Sequence, residues 1–286
     1  ILSRCKGLTP KHKLRFKNPL YSIDSTTIDL CLSVFPWARF RKAKGAIKMH
    51  CMYDHSGALP SFMVVTDGKR HDVRVVKESS FPLSPDSIVS VDKAYIDYNW
   101  LSSLNKNGVF FVTRAKRNID CTVTGQHHPT SKGVRKDQTI RLNGPRTRKL
   151  YPNDLRLIEY HDEETGKDLV FLTNNFKLAA STIAQIYKSR WQIELFFKWI
   201  KQHLRIKRFF GTSPNAVKTQ IWISVSVYVL IAIIKKQLGL SHSLYTILQI
   251  LSTSLFDKTP VQLLFQQYEE KTASNENPNQ LTLFDL

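Results

Sequence analysis

Residues 183–211 read IAQIYKSRWQIELFFKWIKQHLRIKRFFG, and within them Tyr187, Arg190, Glu194 and Lys201 set the spacing Y-x2-R-x3-E-x6-K. At about 100° per residue in a helix, Arg190, Glu194 and Lys201 fall roughly 60°, 20° and 40° to one side of Tyr187, and Lys198 about 20° to the other. The spacing therefore predicts one continuous helix carrying these five side chains on a single face. Ile186, Ile193, Phe196, Phe197, Ile200 and Leu204 gather on the opposite and adjoining sides, and Trp191, Leu195 and Trp199 extend the apolar surface. Such a helix should be mostly buried and expose one narrow polar stripe. The i,i+4 pairs Arg190–Glu194 and Glu194–Lys198 also suit an ordinary solvated helix. A lone carboxylate among cations, between aromatic flanks, points instead to a polyanion held by the cations and a metal ion held by the acid.

That task needs further carboxylates, because Mg²⁺ takes oxygen ligands and two-metal phosphoryl chemistry needs a small cluster of acids. Two segments offer them. In NPLYSIDSTTIDL an apolar strand-like run leads into Asp24, and in PDSIVSVDKAYID the run Ile88, Val89, Val91 ends on Asp92 ahead of a helical stretch. Taken singly, either acid fits a helix cap or a turn equally well. Joined to the helix motif they suggest a catalytic set.

On these residues the chain resembles DDE transposases of the insertion-sequence-four type, the group defined by a Tyr-Arg-Glu-Lys signature. The matching blocks are YSIDSTTIDL, KGAIKMHCMYD, IVSVDKAYIDYNWLSSLNKNGVFFVTRAK, LVFLTNN and the signature helix, which together cover most of residues 19–210. The resemblance implies Asp24, Asp92 and Glu194 as the catalytic, metal-holding triad, and Tyr187, Arg190 and Lys201 as DNA contacts. Lys198 joins the DNA contacts from the helical wheel alone. Lys93 departs from the Arg expected after the second Asp but keeps its charge.

The implied fold is an α/β, ribonuclease-H-like (retroviral integrase-like) core with a β-rich insertion and C-terminal helices. Strands are expected near 19–24, 46–53, 59–66, 87–92 and 108–113, with a helix near 97–107. The parts expected are a linker (1–18) from an N-terminal DNA-binding domain expected to be missing, core (19–114), β-rich insertion (115–176), core with the signature helix (177–236), C-terminal helices (237–269) and a flexible tail (270–286). His127, His128 and the pair His71-Asp72 read as loop residues, the latter near the active face. The implied activity is cleavage of element ends and strand transfer with two Mg²⁺ ions, for which Mn²⁺ can substitute. A homodimer is expected to bridge two ends, and a hairpin to form on the element end. A nuclease without strand transfer and a DNA-binding relic are the alternatives.

Composition agrees. The formal charge of +19 and pI near 9.8 point to a polyanionic partner, with cations spread along the whole chain as for a surface that follows a duplex. Cys5, Cys31, Cys51 and Cys121 show no metal or disulfide spacing, and a reducing bacterial cytoplasm, near the nucleoid, is the expected setting. The apolar run Ile221–Ile234 is shorter than a membrane span and reads as a buried helix, so no membrane partner is expected. At the C-terminus, QLTLF resembles a peptide that docks on the replication sliding clamp. Gln280 would be its polar anchor, with Leu281, Leu283 and Phe284 at the apolar pocket.

Overall fold

The computed structural model describes residues 14, 16–42, 44–128, 131–204, 208–254 and 256–266. Its organising strand is β1 (Leu20–Leu30), where Ile23, Thr26, Thr27 and Ile28 favour extended backbone. On one side β1 pairs antiparallel with β3 (Lys44–Asp54), from Tyr21↔Asp54 to Leu30↔Gly45. On the other it pairs parallel with β5 (Ile88–Val91), from Leu20↔Ile88 to Ile23↔Val91. The short β2 (Arg39–Arg41) and β4 (Leu59–Asp67) both pair with β3. All four residues of β5 are buried, as a parallel strand covered on both faces requires.

The helix α1 (Asp72–Glu78) precedes β5, and α2 (Tyr98–Lys106) crosses from β5 to β6 (Phe110–Arg114), which pairs parallel with β5. Asp97 starts α2 by accepting from Trp100 N at 2.9 Å. The order β4-β3-β1-β5-β6 has the expected form, three antiparallel strands followed by strands alternating with helices.

The β-rich segment adds β7 (Cys121–His127), β8 (Val134–Leu142), the short helix α3 (Pro145–Leu150), β9 (Leu155–Asp162) and β10 (Lys167–Thr173). It continues the core sheet, because β10 pairs antiparallel with β6 and the ladder runs on through β9, β8 and β7 to make ten strands. Side chains alternate across this sheet. Ile23, Val89, Val91, Phe111 and Leu172 pack with Trp100, Leu101 and Leu104 of α2. Leu20, Ile88, Val112, Ile158 and Phe171 face α4 (Ala180–Ser189), through Ala180, Ile183, Ala184 and Ile186.

Two of the expectations change here. β1 does not stop at Asp24 but runs to Leu30, held by its long ladder with β3, so Asp24 lies mid-strand. The signature segment is not one helix either: α4 ends at Ser189 and α5 (Trp191–His203) begins after Arg190. Arg190 N donates to Tyr187 O and Ile193 N to Arg190 O, each at 3.1 Å. These i→i+3 bonds tighten the chain where the sequence predicts a uniform α-turn.

The run Thr173-Asn174-Asn175 ties the sheet to α4. Thr173 Oγ1 donates to Phe111 O at 2.5 Å, while Asn174 accepts from Phe111 N and donates to Asn105 Oδ1 and Val109 O. Asn175 Oδ1 accepts from the backbone of Lys177 and Leu178, turning the chain toward the helix. Beneath it, buried Arg156 donates twice to buried Asp137 (2.8 and 2.6 Å) and to Asn175 O and Leu178 O.

Residues 1–225 and 226–286 form two compact units. The helix α6 (Pro214–Gln237) starts with Ser213 Oγ accepting from Ala216 N and runs across that boundary. It is longer than its apolar run, and by length and composition alone it could cross a bilayer. Val217, Ile221, Tyr228 and Ile231 are buried, while Trp222, Ile223 and Leu230 are exposed. In the second unit, Ser243 caps α7 (Leu244–Thr253) and the His242 ring lies 6.0 Å from that of Phe265.

The Arg156→Ala variant should lose about 3–5 kcal/mol of stability, because it leaves the Asp137 carboxylate buried without its partner. Chemical denaturation beside wild type measures it.

Candidate active site

Parallel pairing puts the two aspartates side by side. Ile23 and Val91 are register partners on β1 and β5, so Asp24, within β1, and Asp92, just past the end of β5, stand at the same level. Asp92 occupies the N-cap position of a single 3-10 turn, Lys93–Tyr95, yet its side chain makes no capping bond. It accepts instead from Tyr187 Oη at 3.3 Å. The capping alternative for this acid is thereby removed.

Glu194 comes from the first turn of α5. The Arg190 guanidinium spans the gap, with Nη1 2.7 Å from Asp24 Oδ2 and Nη2 2.5 Å from Glu194 Oε1. It also lies 5.6 Å from the centre of the Tyr187 ring, a cation–π distance. The five residues Asp24, Asp92, Tyr187, Arg190 and Glu194 thus form one connected group.

Burial pushes the Asp24 carboxyl up to about 6; Arg190 and the Ser25 N–H, 2.8 Å from Oδ1, oppose the rise, while Glu194 and Asp92 add to it. Burial works against the charge of Arg190, but Asp24, Tyr187 and Glu194 outweigh it and hold its pKa above the ordinary value. Burial also raises the Tyr187 phenol. The three acids are close enough to interact, and the fixed guanidinium supplies their counter-charge.

The two lysines lie outside this group. Lys201 Nζ donates to Thr27 O at 2.7 Å, three residues along β1 from Asp24. Lys198 is exposed. The buried stripe of α5 is Ile193, Phe196, Phe197 and Ile200, at i, i+3, i+4 and i+7. Trp191 and Leu195, expected to extend the apolar surface against the protein, are 58% and 47% exposed. They lie roughly opposite that stripe at about 100° per residue, and Lys198 shares their side.

Sequence reasoning missed the surroundings of Asp24. Asp72 begins α1 rather than lying in a loop, and its Oδ1 accepts from Ser25 Oγ at 2.7 Å and stands 3.2 Å from Lys48 Nζ. Tyr95 is buried nearby, and burial, with Asp24 and Asp72, raises its phenol well above the ordinary value. The only sequence hint was that His71-Asp72 follows β4. In the β-rich segment, Gln126, His127, His128, Arg135, Lys136, Asp137 and Gln138 line an open cleft on the β7–β8 hairpin. Cys31, Cys51 and Cys121 are free thiols.

The donor set, three carboxylates and no sulfur or imidazole, suits a hard divalent ion. In this conformation no three acidic, His or Cys side chains among the described residues are gathered closely enough to enclose an ion. Arg190 takes the place of positive charge between Asp24 and Glu194. The residues fit the ion in chemistry and charge.

The site thus joins acids on two parallel-paired strands of an α/β fold to a third acid on a helix. Residues 15–230 match the family described as Transposase DDE domain, and the chain belongs to that family. It is 32% identical over 250 residues to a protein of Geobacillus stearothermophilus named as a transposase for insertion sequence element IS5377, covering 85% of this chain and 64% of that one. It is 35% identical over 216 residues to y4zB of Sinorhizobium fredii, also named as a transposase, covering 74% of this chain and 59% of that one. The chain therefore spans less than two thirds of the length of these relatives. Among solved structures, a piggyBac transposase chain from a synaptic complex with hairpin DNA shares the fold at TM-score 0.50 and 13% identity, covering 93% of this chain and 59% of that one.

The raised pKa of Asp24 carries a sign. The folded chain holds this proton more tightly than the unfolded chain, whose value is near 3.8. The acid therefore costs stability as pH rises from 3.8 through about 6. In a chelator, Asp24→Asn should stabilise the protein at pH 7 by up to about 2–3 kcal/mol. The gain should shrink as pH falls through that window, as thermal melts across pH will register.

Proposed function

We propose that this chain is the catalytic part of a DNA transposase with a ribonuclease-H-like core, acting by cut-and-paste transfer of an insertion-sequence element. The observation that carries the reading is the Arg190 guanidinium bridging Asp24 and Glu194, with Asp92 on the neighbouring parallel strand. Asp24, Asp92 and Glu194 would hold two Mg²⁺ ions, or Mn²⁺ in their place. When bound, the ions activate the attacking water or 3′-hydroxyl and stabilise the leaving oxygen.

The chain's own groups do the rest. Arg190 leaves its carboxylates to take two oxygens of a phosphate near the cut, a bidentate contact for which a guanidinium is suited. Tyr187, held by Asp92, packs or hydrogen-bonds against the DNA backbone, and Lys201 clamps a phosphate beside β1. Lys198, exposed on the same helix, adds a further phosphate contact, and the β7–β8 cleft faces the element end. The basic charge of +19 supports a long DNA track. Transfer would pass through a hairpin on the element end, within a pair of copies that bridges both ends, in the bacterial cytoplasm at the nucleoid.

The Glu194→Gln variant should bind element-end DNA as wild type does and lose cleavage by well over roughly a hundredfold, more than the usual effect of groups one shell beyond a metal. The assay uses end DNA, Mg²⁺ and supercoiled plasmid. Joined end-plasmid products from wild type alone support the proposal; nicks without joining indicate a nuclease, and cleavage by Glu194→Gln overturns the assignment.

The segment with Gln280, Leu281, Leu283 and Phe284 lies outside the described residues, and its docking on the sliding clamp is proposed from sequence. A 271–286 peptide should bind purified clamp, with Phe284→Ala abolishing binding in a fluorescence titration; no binding by the unchanged peptide would refute it.

A further inference from the structure

Asp24 is steadied by a group of polar side chains that the proposed chemistry does not use. Ser25 turns its backbone N–H back onto Asp24 Oδ1 at 2.8 Å, while its hydroxyl donates to Asp72 Oδ1 at 2.7 Å. Asp72 is itself held from behind. Lys48 Nζ stands 3.2 Å from the same oxygen and donates to Arg70 O at 3.0 Å, which fixes the entry to α1. His50, fully buried, places Nδ1 3.5 Å from Asp72 Oδ1 and engages Thr66 Oγ1 through Nε2 at 3.0 Å. Tyr95 closes the group from the β5 side, its hydroxyl buried beside Ser25.

We infer that Asp72 is a positioning residue for Asp24, acting through Ser25. Its carboxylate holds the Ser25 hydroxyl, which fixes the Ser25 peptide, and the N–H of that peptide sets the orientation of the Asp24 carboxylate. This rests on the reading of Asp24 as a metal-holding acid. A side chain one step behind a metal ligand orients it, and its loss typically weakens metal binding by about 10–100-fold. A merely structural ion pair between Lys48 and Asp72 would leave that affinity alone.

The test uses the full chain, with Mn²⁺ binding followed by electron paramagnetic resonance in the absence of DNA, beside end-DNA affinity, cleavage and thermal melting. Asp72→Ala and Ser25→Ala should each weaken Mn²⁺ binding by about tenfold or more, with end-DNA affinity unchanged. The double variant should be no weaker than the poorer single one, since both cut the same path. Asp72→Asn, which keeps an acceptor for Ser25, should recover most of the loss. Should Asp72→Ala fail to fold, Ser25→Ala and Asp72→Asn carry the comparison.

Wild-type Mn²⁺ affinity in Asp72→Ala, or losses that multiply in the double variant, would overturn the inference. Asp24→Asn serves as the control. If it binds Mn²⁺ as wild type does, the metal reading of Asp24 fails first, and the inference with it.

Discussion

One guanidinium makes the centre of this fold possible. Asp24 is largely buried, and Glu194 and Asp92 are near enough to raise its pKa. Three acids in such a place repel one another and resist losing water, and a folded protein can gather them only around fixed positive charge. Arg190 supplies it, with one nitrogen on β1's acid and another on α5's. Its position at the junction of α4 and α5 is what lets it reach both. The i→i+3 bonds on either side of it turn the chain there.

The scaffold exists to bring Arg190 to that point. α4 packs through Ile183, Ala184 and Ile186 on the sheet face formed by Ile88, Val112 and Phe171. The start of α4 is governed by the Thr173-Asn174-Asn175 run and by Arg156, whose partner Asp137 sits on β8. The β-rich segment is therefore mechanically part of the core. Its outer hairpin carries an open cleft, while its inner strands hold the loop from which α4 departs.

The strand positions were readable because alternation and β-branched runs are local signals, and Asp24 and Asp92 stood out beside the helix spacing. Helix geometry was less legible. The wheel assumed one uniform helix, and it placed Lys198 with the acids and Trp191 and Leu195 against the protein. A tightened turn at Arg190, together with a four-residue buried stripe, puts all three on the solvent side. β1 ran past its expected end because pairing with β3 along ten residues outweighs the polar character of Ser25 and Thr26.

From the sequence alone came the acids, Arg190 as a residue of the site, and the large positive charge, since each is written in residue type and short-range spacing. Tertiary structure decided which of them meet. Ser25 and Asp72 are 47 residues apart, and nothing in either segment announces their contact. It arises only when β1, β3 and the start of α1 close on one another, because hydrogen bonds of this kind depend on distances that folding alone creates.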